Sequence, residues 1–412
     1  MLKDKHILLG VSGSIAAFMA CELARKLIKA EAQVQVVMTE GAEAFITPLT
    51  MQTLTGRPVI RGLFDEVRQW NVEHVGAAQW ADVLVVAPAT ANVMAKFARG
   101  LADDSLSATF LACDKPKVIA PAMNTVMYEN PATRENEDRL RDWGCLVVTP
   151  QTGLLACGDV GNGKLADTDD ILLYIEYALE TEKPLQGLSL LVTAGPTREE
   201  IDPVRFITNY STGRMGYAVA QAGWLLGAEV TLISGPVDLP LPKAYRTVKV
   251  RTAQEMHEAV LREKDGADII VKAAAVADYT PKQKEEQKIK KQDDAMTLSL
   301  VRTTDILAEL GKTKKPGQVL VGFAAETQEL HANAEEKIKK KNADLFAAND
   351  LTSPGSGFGT ATNRLLLLWN DGESKQLELM TKEDAARELL LAALEIYRRK
   401  NNGTSANETV RK

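Results

Sequence analysis

The sequence predicts an α/β protein of two Rossmann-like parallel-sheet domains. Three observations carry that prediction. The 412 residues are more than one ordinary domain needs. Short apolar runs alternate with stretches of helical periodicity, the pattern of parallel strands joined by crossover helices. The alternation breaks once, at the charged, proline- and glycine-bearing ETEKPLQG of residues 180–187, and then begins again.

In the first half, Ile7 to Val11 reads as a buried strand, Ser12-Gly13-Ser14-Ile15 as a turn and Ala16 to Ile28 as a helix. Val34 to Met38 is the next strand. Val83 to Ala87 and Val118 to Ala120 are further apolar runs, each ending in a proline-bearing turn. Leu154 to Lys164 contains Gly158, Gly161 and Gly163, which permit backbone angles other residues avoid, so it is predicted to be a mobile flap and not an element interior.

In the second half, Leu188 to Thr193 is a strand followed by the turn Ala194-Gly195-Pro196-Thr197. Tyr217 to Leu226 is a helix ending at Gly227. Val230 to Ser234 is a strand stopped by Gly235-Pro236, and Asp268 to Ala275 is another. Lys282 to Asp294 reads as a charged loop, Val319 to Val321 as a strand and Glu383 to Lys400 as a terminal helix. Residues 401–412 are polar and predicted disordered. The resulting division is a first domain over 1–183, a second over 187–400 and a tail over 401–412.

The net charge of -6 argues against sequence-independent nucleic-acid binding. Cys21, Cys113, Cys145 and Cys157 are widely spaced with no C-x-x-C pair, which indicates neither a disulfide framework nor a zinc site. The start of the chain lacks a signal-like apolar region, and no apolar run is long enough to cross a membrane. The expectation is a cytoplasmic protein acting on small molecules.

Candidate ligand residues fall at strand ends. Gly13, Ser14 and Ile15 place small residues and a hydroxyl at a helix N-terminus, which suits one phosphate monoester; a tight strand–helix connection is the alternative. Thr39 ends the second strand. Ala89, Thr90 and Asn92 follow the third and suit a planar cofactor or its polyol chain. His74 is one of four histidines, and on spacing alone a lone histidine is more often structural or exposed than catalytic. Asn124, in Pro121-Ala122-Met123-Asn124, would pair with a carboxylate or serve a turn. Cys157 heads the glycine-spaced flap, from which a thiol can close over a substrate and deliver a proton; an incidental surface cysteine is the alternative.

Beyond the break, Thr208-Asn209-Tyr210-Ser211-Thr212-Gly213 suits a phosphate or acyl-phosphate oxygen, or simply caps a helix. Ala273-Ala274-Ala275 and Asp278 end a buried strand with small residues and one acid, open to a base or ribose. Phe323 follows Val319 to Val321, where it could pack on a nucleobase. Ala347 to Asp350 closes another strand. Lys337 and Lys341 stand four apart and share a helical face able to meet a triphosphate, although basic runs are usually solvated.

Ser12 to Ala17, Ala87 to Asn92, Pro121 to Asn124 and Ala156-Cys157-Gly158-Asp159 occur in this order in the flavin-dependent cysteine decarboxylases. Over about residues 5–398 the chain resembles the bifunctional phosphopantothenoylcysteine decarboxylase/phosphopantothenate–cysteine ligase family. The resemblance implies a flavodoxin-like flavoprotein domain followed by a nucleotide-binding ligase domain. For the first it implies FMN, held by Gly13, Ser14, Ile15, Thr39, Ala89, Thr90, Asn92 and Ser105. It makes His74 the residue assisting oxidative decarboxylation, Asn124 the clamp on the substrate carboxylate and Cys157 the proton donor in the reductive half. Phe18-Met19 stands where the family usually has Tyr-Lys.

For the second domain the resemblance implies that CTP and 4'-phosphopantothenate form an acyl-cytidylate, which the cysteine amine then attacks. It assigns Ala273, Ala274, Ala275, Asp278, Lys288, Thr304, Asp305, Ile306, Leu307, Phe323, Lys337 and Lys341 to CTP, Lys288 to the first step and Asn209 to the second. Thr304 replaces a common proline. Mg2+ is implied, with ligands unassigned, and so is a homo-oligomer, a dodecamer in the family. A dinucleotide-dependent oxidoreductase would need a G-x-G-x-x-G turn with an acid about twenty residues on, and neither first turn supplies it. A non-catalytic flavin-binding subunit would not need His74, Asn124 and Cys157 together.

Overall fold

A computed structural model describes residues 2–64, 72–155, 158–290, 296–326, 330–350 and 359–408. Side chains are described to residue 401, apart from 325–334 and 350. The chain divides into two compact units, Met1–Thr181 and Glu182–Lys412.

The first unit runs β1 (His6–Val11), α1 (Ala17–Lys29), β2 (Gln33–Met38), α2 (Glu40–Glu43), α3 (Pro48–Thr55), α4 (Glu73–Trp80), β3 (Val83–Ala89), α5 (Ala91–Arg99), α6 (Ser105–Ala112), β4 (Lys117–Pro121), α7 (Thr125–Glu129), α8 (Pro131–Asp142), β5 (Leu146–Val147), β6 (Gln151–Leu154), β7 (Val160–Lys164) and α9 (Thr168–Leu179). Its sheet is parallel in the order β2-β1-β3-β4-β5. Both faces are covered, which is why the strands read as unbroken apolar runs. On one face Ala17, Ala20, Leu23, Ala24 and Leu27 of α1 recur at helical spacing and pack on Ile7, Leu9, Val83 and Val85. On the other, Leu106 and Phe110 of α6 join Ala77 and Ala78 of α4 over Leu8, Leu84 and Val86. Gly10 is required there, since a Cβ would lie 2.4 Å from a Leu106 methyl.

The second unit runs β8 (Ser189–Ala194), β9 (Arg198–Glu200), β10 (Phe206–Thr208), α10 (Arg214–Leu225), β11 (Glu229–Ser234), β12 (Arg246–Lys249), α11 (Ala253–Glu263), β13 (Ile269–Lys272), β14 (Tyr279–Pro281), β15 (Leu300–Arg302), α12 (Ile306–Thr313), β16 (Val319–Glu326), α13 (Leu330–Lys341), β17 (Leu345–Asp350), β18 (Thr362–Asn363), β19 (Leu365–Trp369), β20 (Ser374–Gln376), β21 (Met380–Thr381) and α14 (Lys382–Glu408). The order is β12-β11-β8-β13-β16-β17-β19-β20, parallel as far as β17 and antiparallel beyond it. Strand order turns back between β1 and β3 in one unit and between β8 and β13 in the other. Such reversals open a crevice at the strand carboxyl ends, where ligands of open α/β sheets bind.

Four differences from the sequence expectations have physical causes. Pro88 and Pro121 lie inside β3 and β4 and not in turns, at strand ends where a missing N–H is tolerated. The apolar run from Asp268 to Ala275 stops being strand at Lys272, because Ala273 N and Ala275 N turn to Thr193 O and Gly195 O. Phe323 lies within β16, which continues to Glu326 along β17. The terminal helix passes Lys400 to reach Glu408, so part of the polar tail expected to be disordered is helical. Asn401 Nδ2 donates to Gly317 O and Tyr397 O, which ties the helix beyond the expected stop.

Candidate active sites

At the crevice of the first unit, buried Ser12 laces two strand ends together. Its Oγ donates to Pro88 O (2.8 Å) and accepts from Thr90 N (3.0 Å). Gly13 lies against the start of α2, where a Cβ would meet the Gly41 carbonyl carbon at 2.8 Å, so only glycine brings the loop so close. Ser14 Oγ accepts from Ala16 N (3.2 Å). Thr39 and Thr90 are N-caps, accepting from Ala42 N and Val93 N. The capping and ligand readings therefore coexist, because a hydroxyl that accepts from a helix end still has a proton to donate. Ile15 is exposed, Asn92 is exposed on α5 and Ala89 is buried in β3. Ser105 Oγ is buried without a hydrogen-bond partner among the described residues. An orphaned hydroxyl and a backbone cradle closed to side chains both fit a bound polar cofactor.

Asn124 caps α7, its Oδ1 accepting from Val126 N (2.8 Å) while Nδ2 donates to Asp159 Oδ2 (3.2 Å). Asp159 belongs to the segment predicted to be a flap. That segment is instead part of an antiparallel ribbon of β6 and β7, and Gly161 and Gly163 are strand residues. Their purpose is close approach. A Cβ on Gly161 would lie 2.4 Å from Thr125 Oγ1, and one on Gly163, at φ 117°, 2.4 Å from Met123 O. Gly163 O accepts from Met123 N at 2.9 Å. Gly158, at φ 90°, serves the turn. The ribbon is thus docked along residues 123–125, bringing Asp159 to Asn124. Cys157 lies outside the described residues. Burial raises the pKa of the Cys21, Cys113 and Cys145 thiols, which favours their protonated form. His74 is the second residue of α4, partly buried, and α4 packs on the helix that begins at Ser105.

In the second unit, Asn209 follows β10 and reaches the crevice, its Nδ2 donating to Ala275 O (3.2 Å) and Val276 O (3.3 Å). Pro196 bridges to the same Ala275. The structure therefore joins Asn209 to Ala275, the last residue of the Ala273–Ala275 run. Gly195, Gly213 and Gly235 pack backbone to backbone beside it, with a Cβ on Gly235 only 1.9 Å from Pro196 O. Asp305 caps α12 by accepting from Ala308 N (3.0 Å) and pairs with Lys341 of α13. Burial works to raise its pKa, but the Lys341 and Ala308 hydrogen bonds outweigh that and hold it below the usual value. Ile306 is a core side chain and Leu307 packs on that core, so what they present to a ligand is backbone at a helix N-terminus.

Thr304, Asp278 and Lys337 are exposed, and Phe323 is partly buried against the core. Lys288 is exposed on a loop pinned to the β9–β10 hairpin, where Asp202 accepts from Ile289 N (3.2 Å) and Ile201 O from Glu285 N (3.0 Å). Two residues escaped the sequence reading. Asp159 sits in the same short motif as Cys157. Lys272 is a lone cation ending an otherwise apolar strand, an anomaly visible in the sequence itself.

The description Flavoprotein matches residues 1–179, and DNA/pantothenate metabolism flavoprotein C-terminal domain matches residues 185–396. The coenzyme A biosynthesis bifunctional protein CoaBC of Bacillus subtilis is 50% identical over 399 residues, 96% of this chain and 98% of that protein. The chain belongs to this bifunctional coenzyme A biosynthesis family. The protein of that name from Escherichia coli is 42% identical, covering 97% of this chain and 99% of its own. A crystal structure of the C-terminal domain of such a protein aligns at 43% identity and TM-score 0.46, covering 53% of this chain and all of that one. A member of the bifunctional coenzyme A biosynthesis family carries two activities, a decarboxylase and a ligase. No described helix is long and apolar enough to cross a membrane.

Proposed function

We propose that residues 187–400 join cysteine to 4'-phosphopantothenate using CTP, and that residues 1–183 use FMN to decarboxylate the resulting phosphopantothenoylcysteine to 4'-phosphopantetheine. The observation that carries this reading is Asn124. It is held at both ends of its carboxamide, by Val126 N and by Asp159, which follows Cys157 by two residues in sequence. Such an amide presents a fixed dipole to a substrate carboxylate.

Gly13, Ser14, Ile15, Thr39, Ala89, Thr90, Asn92 and Ser105 would hold FMN, with Ser105 Oγ gaining a partner. When bound, FMN supplies a reversible two-electron acceptor, which a cysteinyl carboxylate needs before it can lose carbon dioxide. Asn124 orients that carboxylate and His74 assists its departure. The Cys157 thiol then supplies the last proton.

In the ligase, Asn209 is set at the crevice beside Ala275 to steady the acyl-cytidylate while the cysteine amine attacks. Lys288 serves its formation, and Lys337 and Lys341 meet the phosphates. Mg2+ would arrive on the triphosphate. We place the protein in the cytoplasm as a homo-oligomer, which the family makes a dodecamer.

The test incubates the purified chain with 4'-phosphopantothenate, cysteine, CTP and Mg2+ and identifies products by mass. The expected set is 4'-phosphopantetheine, CMP, pyrophosphate and carbon dioxide, with FMN released on denaturation. Recovery of a dinucleotide, or equal use of ATP, would overturn the assignment.

A further inference from the structure

Lys272 is the last residue of β13, and in register it faces Gly322 of β16 and Thr193 of β8. Alternation places it on the sheet face of Ile270 and Leu320, the face covered by α12 and α13. Gly322 has no side chain there, and the space its Cβ would take is filled by Phe346 and Leu307. Lys272 is partly buried, and among the described residues its ammonium donates only one long bond, 3.5 Å to Ala274 O, and forms no ion pair. The charges around it are Asp305 at the head of α12, Lys341 at the end of α13 and Asp278 beyond its own strand.

A cation with so few partners at the end of an apolar strand calls for an anion that the polypeptide does not supply. The charge balance of the nucleotide subsite points the same way. Asp278 and Asp305 cancel Lys337 and Lys341, leaving Lys288 on its exposed loop and Lys272 within the crevice to attract a triphosphate. The N-terminus of α12 adds its own positive end at the same place.

We propose that Lys272 is a third phosphate-binding cation of the nucleotide subsite, with Lys337 and Lys341, and that the Lys341–Asp305 ion pair opens to admit the triphosphate. The inference rests on the ligase reading above. It carries a titration with it. Burial lowers the Lys272 pKa to about 8, against the upward pull of Asp305 and Asp278 and with a smaller push from Lys341. Near pH 8 the empty site is therefore about half charged, and arrival of a polyanion restores the missing proton. The nucleotide's own terminal phosphate titrates near pH 6, below this window.

The experiment measures pyrophosphate release by the full chain at varied CTP, from roughly pH 6.5 to 9.5, for wild type, Lys272→Met, Lys272→Arg and Lys341→Met. The expected wild-type kcat/KM for CTP falls as pH rises through about 8. Lys272→Met raises KM for CTP by about tenfold with kcat little changed and lacks that fall. Lys272→Arg keeps affinity and also lacks it, because a guanidinium does not deprotonate here. Proton uptake on CTP binding at pH 8, read by calorimetry in two buffers, disappears in both variants.

A Lys272→Met enzyme with wild-type KM, or an unchanged pH limb in Lys272→Arg, overturns the role of Lys272. If Lys341→Met raises KM while both Lys272 variants behave as wild type, only Lys272 is misassigned. If neither position affects CTP, the nucleotide subsite itself is wrong. Should Lys272→Met fail to fold, the pH profile of Lys272→Arg still decides.

Discussion

Asn124 Nδ2 donates to Asp159 Oδ2 at 3.2 Å, across thirty-five residues of sequence. The bond joins the loop after β4 to the β6–β7 ribbon at Asp159, so the proposed substrate clamp is held by a residue two positions beyond Cys157 in sequence. Asp159→Ala leaves the amide without this acceptor. The expected outcome is a loss of decarboxylation of about tenfold, the scale of one hydrogen bond to a charged group, with FMN content and ligase rate unchanged. A parallel drop in ligase rate would show a general folding defect instead.

Gly161→Ala tests whether the ribbon must lie against α7. The new methyl would stand 2.4 Å from Thr125 Oγ1, forcing the ribbon outward, and decarboxylation should fall. Removing the obstacle in the double variant Gly161→Ala/Thr125→Ala should restore part of the rate. A cycle showing no coupling between the two substitutions would mean the contact does not position the ribbon.

Cys157→Ser and His74→Asn should fail at different points. With serine the thiol proton is replaced by that of a far weaker acid, so carbon dioxide is still released but an unsaturated thiol accumulates in place of 4'-phosphopantetheine. With asparagine at position 74, carbon dioxide itself should not appear. Both variants should still make phosphopantothenoylcysteine from CTP. Normal product from Cys157→Ser at the wild-type rate would remove the cysteine from the mechanism.

Ser105→Ala separates cofactor binding from folding. The hydroxyl has no partner among the described residues, so its loss should leave the cofactor-free protein as stable as wild type or slightly more so. FMN affinity should weaken by roughly fivefold to tenfold, measured by fluorescence titration of the free chain. An unchanged affinity would send the Ser105 hydroxyl to another partner.

Lys272 also sets a stability profile. Its folded pKa of about 8 lies below the ordinary 10.5, so below pH 8 the folded state carries the full cost of a desolvated ammonium. Between those values the unfolded chain holds more protons, and stability rises with pH. Without nucleotide, Lys272→Met should be the more stable form at pH 7, by on the order of 2 kcal/mol after solvent screening. The difference should close toward pH 10.5, as measured by denaturant midpoints of the two chains. A constant difference across that range would contradict the titration.

The two parallel sheets were legible because both faces are covered, which leaves uninterrupted apolar runs such as Leu190–Val192 and Leu84–Val86. The strand-end residues Thr39, Thr90 and Asn124 were legible for a related reason: short polar side chains at these positions cap helices whether or not they bind anything. Gly161 and Gly163 misled because glycine serves turn freedom and close approach alike, and only the neighbouring backbone tells the two apart. Ser12 and Asp159 could not be weighed at all without the fold, since their partners lie tens of residues away.

The long α14 has a consequence for how the chain is made. Its Tyr397 hydroxyl donates to Asp268, and Lys400 reaches Gln318 O and Asp344, so residues near 400 brace the starts of β13, β16 and β17. The core of the second unit is therefore incomplete until those residues have left the ribosome. The first unit has all its strands by residue 181. At about 5–20 residues per second the earlier unit has on the order of ten seconds or more to fold alone. Over that interval the nascent second unit holds strands whose bracing residues are not yet made.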